Sequence, residues 1–397
     1  MPRPLPPLFL QAHALIAASG APFWLDFAPS RIPLLLFDGT ATFLTGAEPQ
    51  DTRWTRTDQG WQWPGQHPAL VANTSVEVEP GLRAAGVLLP SLGAADAPAL
   101  AALLVHEAFH VWQQAHASPA WTANELAALS YPDTVEVLHA RAEEAHWLAE
   151  ALLEPGGPAI GHALFWRAQR FAALEEDQRQ LERRLETLEG LAQHIEQRFL
   201  GQRPALTPDL ALRSTVRAWA YHSGAALAHL LSGDDWKTAV MAGEPLDTLL
   251  AREHAARPAV PQAALRDQAA WHASQRQQDK HRKLQAFQAA QGVRLQVSCE
   301  DGLVVQGFDP MNVTPLTPGR WLHHRFLALS HPSGQVESRH GLALTEGPVL
   351  RATRLEIVGL PQPLEHRGRW QVQAATHRID LPAESVRAMP DGFDAAL

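Results

Sequence analysis

The chain has 397 residues, 46% of them apolar and 19% charged, with a formal net charge of −9. That length and composition exclude a disordered or fibrous chain and leave room for two or three domains with cores of their own. The single cysteine, Cys299, excludes an intrachain disulfide and a multi-cysteine metal site, and the lack of a long basic run argues against a nucleic-acid partner.

At the N-terminus, Arg3 followed by Leu8-Phe9-Leu10 and Ala14-Leu15-Ile16 loosely imitates a secretory signal. Gln11 and His13 interrupt the apolar stretch and no convincing cleavage site follows, so a cytoplasmic location is expected. No run reaches membrane-spanning length. Residues 33–37 and 40–44 are β-prone runs separated by Asp38-Gly39, which predicts a two-residue hairpin turn. Further β-prone runs at 69–78 and 86–89, broken by Pro64-Gly65 and Pro80-Gly81, make the first ninety residues read as strand-rich.

From Asp96 the pattern turns helical. Asp96 is a candidate N-cap, with Pro98 in the first turn of a helix expected to run to Gln114. Residues 134–153, 163–200, 208–231, 236–241 and 246–252 also read as helices, and a polar helix over 262–291 ends at Gly292. Beyond it the period becomes two. Val293, Leu295, Val297 and Cys299 alternate, Glu300-Asp301-Gly302 is expected to turn the chain into Leu303-Val304-Val305, and Leu355, Ile357, Trp370, Val372 and Ala374 continue the β pattern.

The chemistry-bearing motif is His106-Glu107-Ala108-Phe109-His110, in mid-helix. Residues four apart on a helix share a face, so both imidazoles can address one ion while Glu107 lies beside them. Leu103, Leu104, Val105, Val111 and Trp112 surround the motif, and unliganded polar groups would be expensive to bury there. A zinc ion in such a site makes water acidic and polarises a carbonyl, with Glu107 taking the proton. A catalytic zinc needs a third protein ligand, and the best candidate is Glu189 in Leu188-Glu189-Gly190-Leu191-Ala192. A helical glycine costs about 1 kcal/mol relative to alanine, so Gly190 makes sense if another helix or a metal comes close. The competing reading makes Glu182, Glu186, Glu189 and Glu196 a solvated acidic stripe balanced by Arg183, Arg184 and Arg198.

The pair His106-Glu107-x-x-His110 and Glu189-Gly190-Leu191-Ala192 resembles the gluzincin metallopeptidases, whose second motif places a zinc-ligating Glu before Gly, an apolar residue and Ala on a later helix. The resemblance covers roughly residues 33–250. Glu189 follows His110 by about 80 residues, far more than in thermolysin or the zinc aminopeptidases, which implies a helical element inserted between the motifs over residues 121–153. It implies an α+β fold with a zincin (thermolysin-like) core. That core would have a strand-rich lobe over 1–95 and a helical zinc-binding lobe over 96–260, followed by a helical spacer over 261–291 and, outside the resemblance, a β domain over 292–397. It also implies one catalytic Zn2+ held by His106, His110 and Glu189, with Glu107 as general base and a peptide or protein as substrate. Gluzincins tend to carry a Tyr or His that donates to the oxyanion, and the segment Trp219-Ala220-Tyr221-His222 offers Tyr221 first and His222 in reserve.

Glu143 is a candidate acceptor for the outer N–H of a ligand histidine, while His139, His146, His229, His323 and His324 read as surface or core residues. Two other functions are compatible with the motifs: a zincin-fold binding or scaffold protein without turnover, and a zinc hydrolase of a non-peptide amide or ester.

Overall fold

The computed structural model describes residues 3–20, 23–116 and 121–397. Among them are eleven α-helices and two β-sheets, a mixed α+β chain divided into two compact units. The first unit holds residues 3–123 and 136–268, and the second holds 124–135 and 269–397.

The first unit opens with helix α1, Pro7–Ala18, over the apolar stretch that loosely imitates a secretory signal. Phe9, Ala12 and Ile16 are buried on one face of it and join a core shared with helix α2, Ala97–Ala115. A six-stranded sheet follows, made of β1 Leu34–Phe37, β2 Ala41–Thr45, β3 Thr55–Thr57, β4 Gly60–Pro64, β5 Thr74–Glu79 and β6 Leu82–Leu88. Its order is β3-β4-β2-β1-β6-β5, antiparallel except for the β1–β6 pair. The hairpin turn falls on Gly39-Thr40, one residue later than expected. The Asp38 carboxylate accepts from the backbone N–H of both Thr40 and Ala41 at 2.8 Å, and Gly39 takes the positive φ of 98°.

Both faces of this sheet are covered. Leu34, Leu36, Ala85 and Val87 face the helical core, while Leu35 and Ala84 join Leu44, Trp54, Trp63 and Val76 in a second cluster. That two-sided burial makes residues 34–36 a continuous apolar run rather than an alternating one. Strand β5 pairs with β6 alone and forms one edge of the sheet.

After α2 come α3 Val135–Leu153, α4 Ala159–Ala172, α5 Glu176–Leu185, α6 Leu191–Phe199, α7 Pro208–Arg213, α8 Val216–Leu230, α9 Asp235–Met241 and α10 Leu246–Glu253. The single helix expected over 163–200 is therefore broken. The chain leaves α4 at Ala173, re-enters at a Glu175–Gln178 capping box, and passes between α5 and α6 through one π-helical turn, Glu186–Gly190. The helical element between the two motifs begins at Val135 rather than Trp121.

Four acids and three arginines form a buried lattice beneath that turn. Arg167 binds Glu144 at 2.8 Å, Glu186, and Asp247 at 3.2 Å; Arg170 binds Glu144 and Glu182; Arg183 binds Asp247 at 3.0 Å. Removing one partner from such a lattice leaves an uncompensated buried charge, at a cost of about 3–5 kcal/mol. The lattice ties α5 and the π-turn to α3, α4 and α10. The acidic stripe of α5 and α6 is accordingly buried rather than solvated, with Glu182, Glu186 and Glu189 each 3% exposed or less.

The second unit contains a twelve-stranded sheet between Val293 and Ala396. Its longest strand, β7 Val293–Phe308, continues across Glu300-Asp301-Gly302, where a turn was expected, but residues 299–302 stand there against Thr353 alone. The register against the strand Arg351–Leu360 shifts at this point, and Gly302 with φ 80° absorbs the irregularity as a bulge. Leu295, Val297, Leu355, Ile357, Trp370 and Val372 form its core. Helix α11, Ala263–Gln288, places Phe287 against Leu322, Leu344 and Val358, and its Arg276 and Lys280 pair with Asp133, which ties residues 124–135 into this unit. Among the described residues no helix is long and apolar enough to cross a membrane.

Candidate metal centre

Helix α2 is fixed in two ways before it presents any chemistry. Asp96 caps its N-terminus by accepting from the Ala99 N–H at 2.9 Å. Along its side, Phe109 and Trp112 pack with Phe27 and the fully buried Trp24, edge-on at ring separations between 5.1 and 6.5 Å. Edge-to-face pairs contribute about 0.5–1.5 kcal/mol each beyond area burial, so the rotation of α2 about its axis is well determined.

That rotation turns His106 and His110 toward the π-turn, and their Nε2 atoms lie 3.2 Å apart. Glu189 stands in the π-turn with Oε2 3.2 Å from His110 Nε2 and 3.9 Å from His106 Nε2. Gly190 allows this approach. A Cβ there would meet the Gly224 Cα at 2.5 Å and the Ala220 carbonyl oxygen at 2.8 Å, so the π-turn and α8 touch backbone to backbone.

The hydrogen bonds around the cluster settle where its lone pairs point. The side-chain NH2 of Gln113 donates to the carbonyls of Thr187 and Leu188, at 3.2 and 3.0 Å, which leaves Gln113 Oε1 to accept from His110 Nδ1 at 2.7 Å. A carboxylate oxygen of Glu196 accepts from His106 Nδ1 at 3.0 Å. With both Nδ1 atoms protonated, both Nε2 atoms carry lone pairs, and these converge with Glu189 Oε2, a buried oxygen that has no hydrogen-bond partner among the described residues. Three acceptors facing one another call for a cation. An ion held tetrahedrally at about 2.1 Å spaces its ligand atoms about 3.4 Å apart, close to the separations observed. The three residues are the group among the described residues that could hold a metal ion in this way.

The electrostatics agree with this demand for positive charge. Burial opposes protonation of His110, yet the adjoining Glu189 and Glu107 carboxylates draw its pKa above the ordinary value. Burial would raise Glu189, but the adjoining His110, the charge of Arg217 and a bond from Tyr221 hold it at about 2. Glu107 is raised, chiefly by burial and against the pull of the two histidines.

A pocket of about 230 Å³ opens onto the cluster. Glu107, Glu189, Arg217 and Tyr221 line it, and the edge strand β5 supplies Thr74 and Ser75. Tyr221 stacks on the His106 ring at 5.8 Å and 9° and hydrogen-bonds Glu189. His222, the reserve candidate, is not among the lining residues. Glu143 lies elsewhere, at 3.3 Å from His139 and bonded to the Gln262 N–H, so it is no partner of the α2 histidines; Glu196 and Gln113 take that role. The sequence carried a signal for both, since Gln113 lies three residues after His110 and Glu196 seven after Glu189. Arg217, which pairs with Glu189 Oε1, also escaped notice. Comparison with models of known families, with curated proteins and with solved structures finds no match to this chain.

Proposed function

We propose that the chain is a zinc-dependent peptidase with a gluzincin-type site on a zincin core, in which His106, His110 and Glu189 hold Zn2+ and Glu107 is the general base. The observation that carries this reading is the convergence of two Nε2 lone pairs and an unpartnered carboxylate oxygen beside Glu107, in a pocket bordered by a free sheet edge. Two nitrogens and one oxygen at these separations suit zinc, with a position left for water or substrate. An extended peptide can add to the outer edge of β5 by main-chain hydrogen bonds, which brings a carbonyl over the cluster.

Bound zinc would supply Lewis acidity toward water and toward that carbonyl oxygen. Glu107 accepts a proton as the water oxygen bonds the carbonyl carbon and the π pair moves onto the carbonyl oxygen. Tyr221, whose single O–H bonds Glu189 beforehand, turns it to the oxygen as it becomes negative. When the C–N bond breaks, Glu107 returns its proton to the nitrogen. Burial, which raises the affinity of Glu107 for a proton, suits it to both halves of this exchange.

The test is a peptide-library cleavage assay on the zinc-loaded full chain. Glu107→Gln is expected to keep its zinc and lose at least about 100-fold in turnover, and a chelator should abolish cleavage by the parent. Unchanged turnover in zinc-loaded Glu107→Gln would overturn the proposal.

A further inference from the structure

Arg217 is the second residue of α8, after the cap Thr215, whose hydroxyl accepts from the Ala218 N–H. A cation in the first turn faces the positive end of the helix dipole, a placement that costs about 0.3–1 kcal/mol. It is offset here by the buried Glu189, whose Oε1 accepts from Arg217 Nη2, and by a bond between Arg217 and Tyr221 one turn further along. The guanidinium is not shut in with them. Its side chain is 28% exposed and lines the same pocket as Glu107 and Tyr221, where it is the one Arg or Lys of the lining among the described residues.

Resting on the peptidase reading, we infer that Arg217 is a catalytic residue that, together with Tyr221, donates to the carbonyl oxygen as that oxygen becomes negative. The charges of the site make this specific. During attack the proton moves from water to Glu107, the new C–O bond forms, and the carbonyl π pair moves to oxygen. One negative charge thus passes from the Glu107 carboxylate to the carbonyl oxygen while the total is unchanged.

Selectivity for the transition state comes from donors placed where the charge arrives rather than where it starts. Arg217 and Tyr221 form such a pair, one turn apart on one helix face and both in contact with Glu189. The guanidinium presents a fork of five N–H donors and stays protonated at any working pH, so it serves Glu189 Oε1 and a substrate oxygen together. The positive end of α8 adds to the same field.

The experiment compares two probes on the zinc-loaded full chain: capped tetra-alanine, and its phosphinic analogue, in which a tetrahedral P(O)OH–CH2 unit replaces one peptide bond. Binding of the analogue is measured calorimetrically in the parent, Arg217→Gln and Arg217→Lys, and binding of the intact peptide in the same set with Glu107→Gln added. Metal analysis is run on every variant. Arg217→Gln should weaken the phosphinic probe about 100-fold while weakening the peptide less than about threefold. Arg217→Lys, which keeps the charge without the fork, should recover at least about tenfold of that loss. Equal weakening of both probes, or of neither, overturns the inference even where the parent binds the analogue tightly. A zinc-loaded parent that ignores the analogue and cleaves no peptide overturns the peptidase reading itself, and the role of Arg217 with it.

Discussion

Single side chains in this chain are set by the groups behind them. His106 and His110 present their Nε2 lone pairs because Glu196 and Gln113 take the protons on the other side of each ring. Outer partners of this kind typically change metal affinity by about 10–100-fold when removed. His194 shows what happens without such a partner. It is buried, its Nδ1 has no hydrogen-bond partner among the described residues, and burial together with the Arg198, His229 and Lys237 charges pushes its pKa down to about 3.

The fold therefore holds His194 neutral while the unfolded chain takes up a proton near the ordinary value of 6.5. Its contribution to stability is complete above 6.5 and is lost as the pH falls from there toward about 3, by as much as about 1.4 kcal/mol per unit. Urea unfolding across pH 7 to 4 should show a shallower loss in His194→Gln than in the parent. Equal slopes would mean that His194 is not held neutral.

Among the elements, the π-turn Glu186–Gly190 does most to position the site. It aims Glu189 at α2 while its backbone lies against Gly224 of α8. Gly190→Ala drives a methyl into a backbone that cannot yield, and destabilisation by about 1–3 kcal/mol is expected, measurable as a lower urea midpoint. Zinc affinity should fall in the same variant, because any separation of α8 from the π-turn displaces Glu189.

The sequence contained part of this arrangement. Glycine after Glu189 in a helical pattern asks for a close neighbour, and the neighbour is Gly224. The breaks at Ala173 and at the π-turn were not legible, because residues 163–200 keep helical periodicity throughout and the interruption reflects where Arg167 and Arg170 find their acids. The burial of Glu182 and Glu186 was hidden for the same reason: α3, α4 and α10 supply the partners that turn a surface-like stripe into an interior one. Helix α1 was missed because its apolar residues are too continuous to show a face until α2 covers them.

For the chain as a whole, local patterns sufficed to place the alternation of strands and helices along the sequence, since period-two and period-3.6 runs hold over most of it. They could not assign residues 124–135, which lie between helices of the first unit yet belong to the second through Asp133 and its pairs with Arg276 and Lys280. Nor could they place β5 as the sheet edge beside the cluster, which depends on strand order. Each activity proposed for this chain requires that His106, His110 and Glu189 hold a metal ion. Metal analysis of the purified chain after zinc loading and dialysis, with affinity measured by chelator competition in the parent and in Glu189→Ala, tests it directly. One zinc per parent chain and at least about 100-fold weaker binding in Glu189→Ala are expected. No stoichiometric zinc in the parent, or equal affinity in the two proteins, would contradict it.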